Sequence, residues 1–148
     1  MRVTLRNLLK TGQLVEHKTD AAEIGRMLEA AYRNIDDAKS TTVSPETRFE
    51  AAYRAITQCA MVALWANGLR PSKSQAGHHQ TLIQALPIAI GLEVRQMRLL
   101  DTFRVKRNAI DYTGDAVDEE SLRACIDAAG DLLQLLRSWL REQRQDLT

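Results

Sequence analysis

The sequence is poor in the residues that build cross-linked or β-rich proteins. Two of its 148 residues are cysteine, three are proline, and aromatic residues make up 5%. Cys59 and Cys125 have no CxxC or Cys/His spacing around them, so we expect buried, reduced thiols. The chain is long enough to bury one continuous core without disulfides or metals, and we predict a single domain over residues 1–148.

An excess of one charge and long apolar runs are missing as well. Lys and Arg total 20 against 19 Asp and Glu, for a formal net charge of +1. This balance gives no global field toward RNA, DNA or anionic lipid, so nucleic-acid binding would require a local patch. Residues 1–10 lack the apolar core of a signal peptide, and no stretch has the apolar length of a membrane span. We therefore expect a soluble, cytoplasmic protein that does not contact membranes.

The residues that are abundant predict an all-α fold. Ala, Leu, Arg, Gln and Glu dominate, and no sustained period-two alternation occurs, so the chain is expected to be helical throughout. Capping signals, Gly and Pro delimit six predicted helices, at about residues 4–10, 20–39, 45–66, 78–85, 92–111 and 118–142. Residues 70–77 are expected to form a polar loop, Pro87 to end or kink the fourth helix, and residues after 142 to fray.

Helical periodicity predicts which faces form the core. The third helix carries several alanines that permit close approach of a neighbour, so it is predicted to be central. On the fifth helix one narrow sector is expected to face the core, formed by Leu92, Leu99, Phe103 and Ile110. The last helix has a heptad-like apolar spacing in Leu122, Ile126, Ala129, Leu133, Leu136 and Leu140.

The end of the fifth helix, residues 103–112, is the most informative part of the chain. It combines three cations, an amide, a carboxylate and a phenol: Arg104, Lys106, Arg107, Asn108, Asp111 and Tyr112. At 100 degrees per residue, Arg104, Arg107 and Asp111 form one stripe with Leu100, beside the apolar sector. Two guanidinium groups on one face can grip a phosphate.

An ordinary structural role fits the same residues. Asp101 and Arg104, Arg104 and Asn108, and Arg107 and Asp111 have the spacings of helix-surface pairs, each worth about 0.2 to 0.5 kcal/mol. The dipole also favours cations near a helix C-terminus. From the residues alone, a phosphate site and an ion-pair network therefore both remain open.

This segment resembles the HEPN domain, which is named for nucleotide binding in higher eukaryotes and prokaryotes. The likeness lies in Arg104, Arg107-Asn108 and Asp111-Tyr112 at the end of the penultimate long helix, followed by a turn and a final helix. Residues 49–53 and Gly77-His78-His79 add weaker likeness, and the architecture matches over about residues 20–140. The resemblance implies an up-and-down bundle of four to five main helices, a homodimer, and RNA or a nucleotide as ligand. It also implies an antitoxin or other partner protein in a toxin–antitoxin or defence system, and no metal or other cofactor.

Many HEPN domains are metal-independent ribonucleases whose motif is Arg, a polar residue that is often Asn, a few spacers and His. Arg107 and Asn108 match the first two positions, but residues 111–113 are Asp, Tyr and Thr. The resemblance thus implies a catalytic set of Arg107, Asn108, Asp111 and Tyr112 and an RNA-binding set of Arg104, Lys106 and Arg107. The missing His argues against cleavage, because a carboxylate among arginines is a weak base and a very poor acid. The alternative is a non-catalytic dimer or adaptor with a structural ion-pair network.

Three histidines, Tyr53 and two basic residues are further candidates. His78 and His79 point about 100 degrees apart on a helix, which does not suit a helical metal pair, and His17 is distant in sequence. One of the two adjacent histidines would complete an active site across the bundle if it faced Arg107. Tyr53 is predicted to bury its ring and to direct its hydroxyl to a buried partner. Arg70 and Lys73 are expected to belong to a solvated loop.

Overall fold

The computed structural model describes residues 4–72 and 78–148, which form an all-α bundle with one small two-stranded ribbon. Its elements in chain order are α1 (Leu5–Lys10), β1 (Leu14–Glu16), α2 (Ala21–Ala38), α3 (Pro45–Trp65), β2 (Leu69–Pro71), α4 (His78–Ile90), α5 (Val94–Thr113) and α6 (Glu119–Gln143). The five long helices, α2 to α6, confirm the predicted fold class. None of the helices in the described ranges combines the length and apolar character needed to cross a bilayer.

The predicted capping signals start the helices for the expected physical reasons. The Asp20 carboxylate accepts the Glu23 backbone N–H at 2.8 Å, and the Ser44 hydroxyl oxygen accepts the Thr47 N–H at 3.1 Å. Pro45 occupies the first turn of α3, where its missing N–H costs nothing. These caps satisfy backbone donors that would otherwise lack partners at the helix starts.

Helix α3 is central, as its alanines predicted. It packs against α2, α4, α5 and α6, and ten of its 21 residues are buried. Phe49, Ile56 and Leu64 are completely buried, and small residues such as Ala52 and Ala60 let neighbouring helices approach closely. The core therefore lies along α3 and is closed by α6 and α4.

The two thiols are buried and free, which confirms the sequence prediction. Cys59 lies on α3 and Cys125 on α6. Burial raises the pKa of each thiol to about 12. Both side chains pack as small apolar groups and have no thiolate character at neutral pH.

The expectation of helix throughout was wrong at the ribbon. Strands β1 and β2 pair antiparallel, with Leu14 opposite Pro71, so the start of the predicted 70–77 loop is a strand. Gly12 and Gly68, at φ +79° and +77°, turn the chain beside the two strands. Three-residue strands are too short to show a period-two pattern, so no periodicity in the sequence indicated them. The rest of that predicted loop, including Lys73 and Gly77, lies outside the described residues.

Three other predictions need correction. Helix α4 continues through Pro87 to Ile90 and ends before Gly91, at φ +76°, because Ala89 and Ile90, which follow the proline, are buried. On α5 the buried residues are Leu100 and Phe103, whereas Leu99 is 40% exposed. The buried face of α5 therefore includes Leu100 of the polar stripe in place of Leu99.

The C-terminal residues do not fray. Residues Gln145–Leu147 form a 3-10 helix against α2 and α6, and Leu147 is buried. The Arg144 guanidinium donates to the Ala66 backbone carbonyl and pairs with Asp146 at 2.8 Å. On α6, five of the six predicted apolar positions are buried, while Ile126 is partly buried against the core.

Candidate functional site

The polar segment 103–112 is the last part of α5, which ends where Gly114 adopts φ +70°. Arg104, Arg107 and Asp111 lie on the side of α5 that continues from buried Leu100, so the predicted stripe borders the core. The buried face of α5 lies closer to this stripe than its apolar periodicity predicted, and the arginines are therefore turned toward α3. The stripe therefore lies between helices instead of on the free side of α5.

Arg107 is held mainly by a residue that the sequence did not suggest. Its Nε and Nη2 donate to the two carboxylate oxygens of Glu50 on α3, at 3.1 and 3.2 Å. The predicted partner Asp111 is also present, with Nε to Oδ2 at 3.4 Å. The hydrogen bonds that Arg107 donates to Glu50 are the largest of the effects that raise the pKa of Arg107. A carboxylate of α3, 57 positions earlier, fixes this guanidinium.

Glu50 could have been noticed only as an acidic residue within the otherwise apolar run between Phe49 and Tyr53. Nothing in its spacing points to Arg107, because the two residues meet only when α5 docks on α3. The tertiary contact decides this pairing.

Arg104 and Lys106 have separate acidic partners. Arg104 donates through Nε and Nη2 to Asp101, at 2.7 and 3.3 Å, which confirms one of the predicted surface pairs. Lys106 donates to Asp118, the N-cap of α6, at 3.1 Å. Hydrogen bonds from Ser121 and then from Lys106 hold the pKa of Asp118 well below its usual range. Lys106 thus ties α5 to the start of α6 and does not join the two arginines.

Asn108 and Tyr112 make no side-chain hydrogen bond to any described residue, so the predicted Arg104–Asn108 pair is absent from this part of the chain. Asn108 is half-buried. Tyr112 is 88% exposed, the most exposed large apolar side chain in the described ranges. The predicted catalytic set is therefore divided. Arg107 and Asp111 lie at the interhelical contact, whereas Asn108 and Tyr112 lie outside it.

Tyr53 connects Arg107 to a histidine of α4. Its ring is almost completely buried, and the Arg107 guanidinium carbon lies 5.6 Å from the ring centroid. The Tyr53 hydroxyl is 3.2 Å from Nδ1 of His79, so the predicted buried partner of Tyr53 is this imidazole. Burial raises the pKa of Tyr53 to about 12, which keeps the phenol protonated.

His79 is the histidine whose position the sequence left open. It is partly buried, and its ring lies 4.9 Å from that of His78 at 89 degrees. Burial lowers the pKa of His79, and the neighbouring charges of His78 and Arg107 lower it further. His79, Tyr53 and Arg107 thus form one contact chain across α4, α3 and α5.

A groove of about 560 Å³ lies between α2, α3 and α5, on the side of Arg107 that carries Glu50. Its charged lining consists of Asp37, Glu46, Glu50, Arg54, Arg107 and Asp111. Four carboxylates against two arginines make this groove unfavourable for a polyanion. A polyanion that contacts Arg107 would therefore do so outside this groove.

His17 and His78 line a second hollow, of about 510 Å³, with Trp65 and Arg70. His17 pairs with Glu23 at 2.7 Å and stacks on Trp65 at 5.3 Å between centroids, while Arg70 donates to the Pro71 carbonyl. Within residues 4–72 and 78–148, no three His, Cys, Asp or Glu side chains are grouped to hold a metal ion.

Comparison of the chain with family models, with curated proteins and with solved structures found no match.

Proposed function

We propose that this chain is a HEPN-like helical domain that binds the phosphate groups of RNA or a nucleotide through Arg104 and Arg107, as a cytoplasmic homodimer. The observation that carries the proposal is the orientation of the two guanidinium groups. Each is fixed by a carboxylate along its Nε–Nη2 edge, Arg104 by Asp101 and Arg107 by Glu50. Neither Nη1 donates to an acceptor in the described ranges.

This arrangement suits phosphate binding. A guanidinium group that is held by a carboxylate loses little side-chain entropy when its remaining donors meet a phosphate oxygen. Two such groups one turn apart on α5 match the spread of charge along a nucleic-acid backbone. Asn108 and Lys106 supply further donors on the same helix end.

The outer face of α5 supports the proposed dimer. Val94, Val105 and Tyr112 lie on one stripe opposite the core and are 48%, 56% and 88% exposed. A second copy of the chain would cover this stripe and bring two Arg-rich helix ends together at one seam. In a toxin–antitoxin or defence system, an antitoxin or other partner protein would instead occupy this face.

Binding is tested by fluorescence anisotropy with a labelled single-stranded RNA. Arg107→Ala is expected to weaken binding by about tenfold, the equivalent of one charge-assisted contact. It should also reduce the dependence of log affinity on log salt by about 0.7, because one phosphate contact is lost. Arg123→Ala is the matched control, since Arg123 pairs with Glu119 on the exposed surface of α6 and is not part of the proposed binding set. Equal weakening by both variants, or by neither, would refute the proposal.

A non-catalytic dimer or adaptor is the second candidate, and a specific observation favours it. All three cations of the segment have intrachain carboxylate partners, namely Asp101, Asp118 and Glu50. In this alternative the cluster is an ion-pair network that holds α5 on the bundle. Arg107→Ala would then leave RNA binding unchanged and lower self-association or the unfolding midpoint, which sedimentation velocity and denaturation distinguish.

A further inference from the structure

We propose that His79, positioned by Tyr53, is the general base of a metal-independent RNA cleavage at the Arg104 and Arg107 site. The inference rests on the proposed binding of RNA to these arginines. It assigns the proton-transfer role to a residue of α4, outside the α5 segment in which the sequence motif lacks a histidine.

Three helices contribute to one contact chain. Tyr53 of α3 is buried below the Arg107 guanidinium of α5 and directs its hydroxyl to His79 of α4. The ring centroids of Tyr53 and His79 are 5.8 Å apart. In the proposal, a substrate phosphate held by the free guanidinium edges lies beside the imidazole that Tyr53 orients.

Burial, and then the positively charged neighbours of His79, favour the neutral form of its imidazole. Arg104 and Arg107 face it from α5, Glu50 and Tyr53 from α3, and His78 from its own helix. Burial and then the positive neighbours lower its pKa, while Glu50 acts in the opposite direction. A neutral imidazole at physiological pH is the form that accepts a proton.

The contact with Tyr53 suits this role in one tautomer. When Nδ1–H donates to the Tyr53 oxygen, Nε2 carries the free lone pair. The protonated phenol accepts this bond without loss of its own proton. The Tyr53 oxygen then also stabilises the imidazolium that forms when Nε2 takes a proton, as an orienting partner does in other histidine bases.

The reaction balances without any cofactor. Nε2 of His79 takes the proton of the RNA 2′-hydroxyl while the 2′-oxygen forms a bond to phosphorus and the bond from phosphorus to the 5′-oxygen breaks. The leaving 5′-oxygen takes a proton from water, and the resulting hydroxide takes the proton from His79. The products are a 2′,3′-cyclic phosphate and a 5′-hydroxyl. Arg104 and Arg107 offset the negative charge that grows on the phosphoryl oxygens.

The test compares the full-length wild-type protein with His79→Asn on a 5′-labelled single-stranded RNA. Cleavage and binding are measured on the same oligonucleotide. We expect wild-type cleavage to leave cyclic phosphate ends and His79→Asn to slow it by about 100-fold or more, the usual contribution of a general base. Binding should stay within about threefold, because the arginines that contact phosphate remain.

Two controls separate this role from a structural one. His78→Asn removes the adjacent imidazole and should retain cleavage, since the hydrogen bond to Tyr53 belongs to His79. Tyr53→Phe, as a positioning variant, should slow cleavage and move the rise of the pH–rate profile to lower pH, because the imidazolium loses its acceptor. A DNA oligonucleotide of the same sequence should bind but remain uncleaved, because it lacks the 2′-hydroxyl that attacks phosphorus.

The outcomes distinguish the two proposals. RNA binding that depends on Arg107, combined with no cleavage by the wild type or with equal cleavage by His79→Asn, would overturn the role of His79 and leave the binding function in place. RNA binding that does not depend on Arg107 would overturn both. A selective loss of cleavage in His79→Asn, with cyclic ends in the wild type, would support both.

Discussion

Helices α3 and α5 have nearly the same length but are held in the bundle by different forces. Ten of the 21 residues of α3 are buried, against two of the 20 residues of α5. The helices meet through Phe49 and Phe103, whose rings are edge to face with centroids 6.1 Å apart. Apart from buried Phe103 and Leu100 and partly buried Met97 and Ile110, α5 is held by polar contacts, from Arg107 to Glu50 and from Lys106 to Asp118.

The difference has a functional meaning. Apolar burial is worth about 25 cal/mol per Å² and supplies most of the stability of the bundle, so α3 is constrained by packing. Helix α5 keeps most of its surface outside the core, where its polar groups can meet a ligand or a second chain. The candidate site lies where the two helices join, with α4 supplying His79.

The largest loss of stability is expected from a substitution in the apolar core of α3. Phe49→Ala should lower the free energy of unfolding by about 3 to 5 kcal/mol, because it removes a fully buried ring at the junction of α3 and α5. Urea denaturation followed by circular dichroism measures this loss. Tyr32→Ala, at a 60% exposed position of α2, is the control and should change stability by less than about 0.5 kcal/mol. Similar losses in the two variants would contradict the assignment of Phe49 to the core.

The C-terminal 3-10 helix is held, like α3, by apolar packing. Leu147→Ala is expected to cost about 2 kcal/mol, since the side chain is 5% exposed against α2 and α6. Leu135→Ala, at a 38% exposed position of α6, should cost clearly less. If the C-terminus frayed, Leu147→Ala would instead lower the free energy of unfolding less than Leu135→Ala in the same denaturation experiment.

The polar junction should contribute less. A double-mutant cycle with Glu50→Gln and Arg107→Ala is expected to give a coupling free energy of about 1 kcal/mol, because the pair is bidentate but partly exposed to water. The Glu119 and Arg123 pair, at 3.8 Å and mostly exposed, provides the comparison cycle and should give less than about 0.5 kcal/mol. Equal couplings in the two cycles would show that the tertiary pair adds nothing to an ordinary surface pair.

The smallest effect is a pH dependence from His79. Its pKa is lowered in the folded protein, so below the ordinary value of about 6.5 the unfolded chain binds a proton that the folded chain does not. The neutral His79 imidazole therefore contributes to the free energy of unfolding above its ordinary pKa. This contribution is lost as the pH falls through the lowered pKa of the folded protein. Wild-type stability should drop between about pH 7 and pH 5 more steeply than that of His79→Asn. Within this range carboxylates such as Glu23, whose pKa is lowered by hydrogen bonds from His17 and Thr19, stay ionised. Parallel pH curves for the two proteins would mean that His79 is solvated.

Much of the fold was predictable because it depends on local signals. Asp20, Ser44-Pro45 and Asp118 cap their helices as their side chains suggested, and the alanine-rich α3 is central. The errors occurred where burial overrode local preference, as at Pro87 in α4, or where a pattern was too short to be read, as in β1 and β2. Leu147 packs against helices far away in sequence, which no terminal pattern reports.

By itself the sequence determined that the chain is a helical bundle and that Arg104, Arg107 and Asp111 share one stripe of α5, because helical periodicity is local. The tertiary structure alone decided what that stripe faces. Glu50 and Tyr53 reach it from α3, and His79 comes within hydrogen-bonding distance of Tyr53 from α4. Contacts of this kind depend on how three helices dock, which is set by the complementarity of their surfaces and not by the spacing of residues along any one helix.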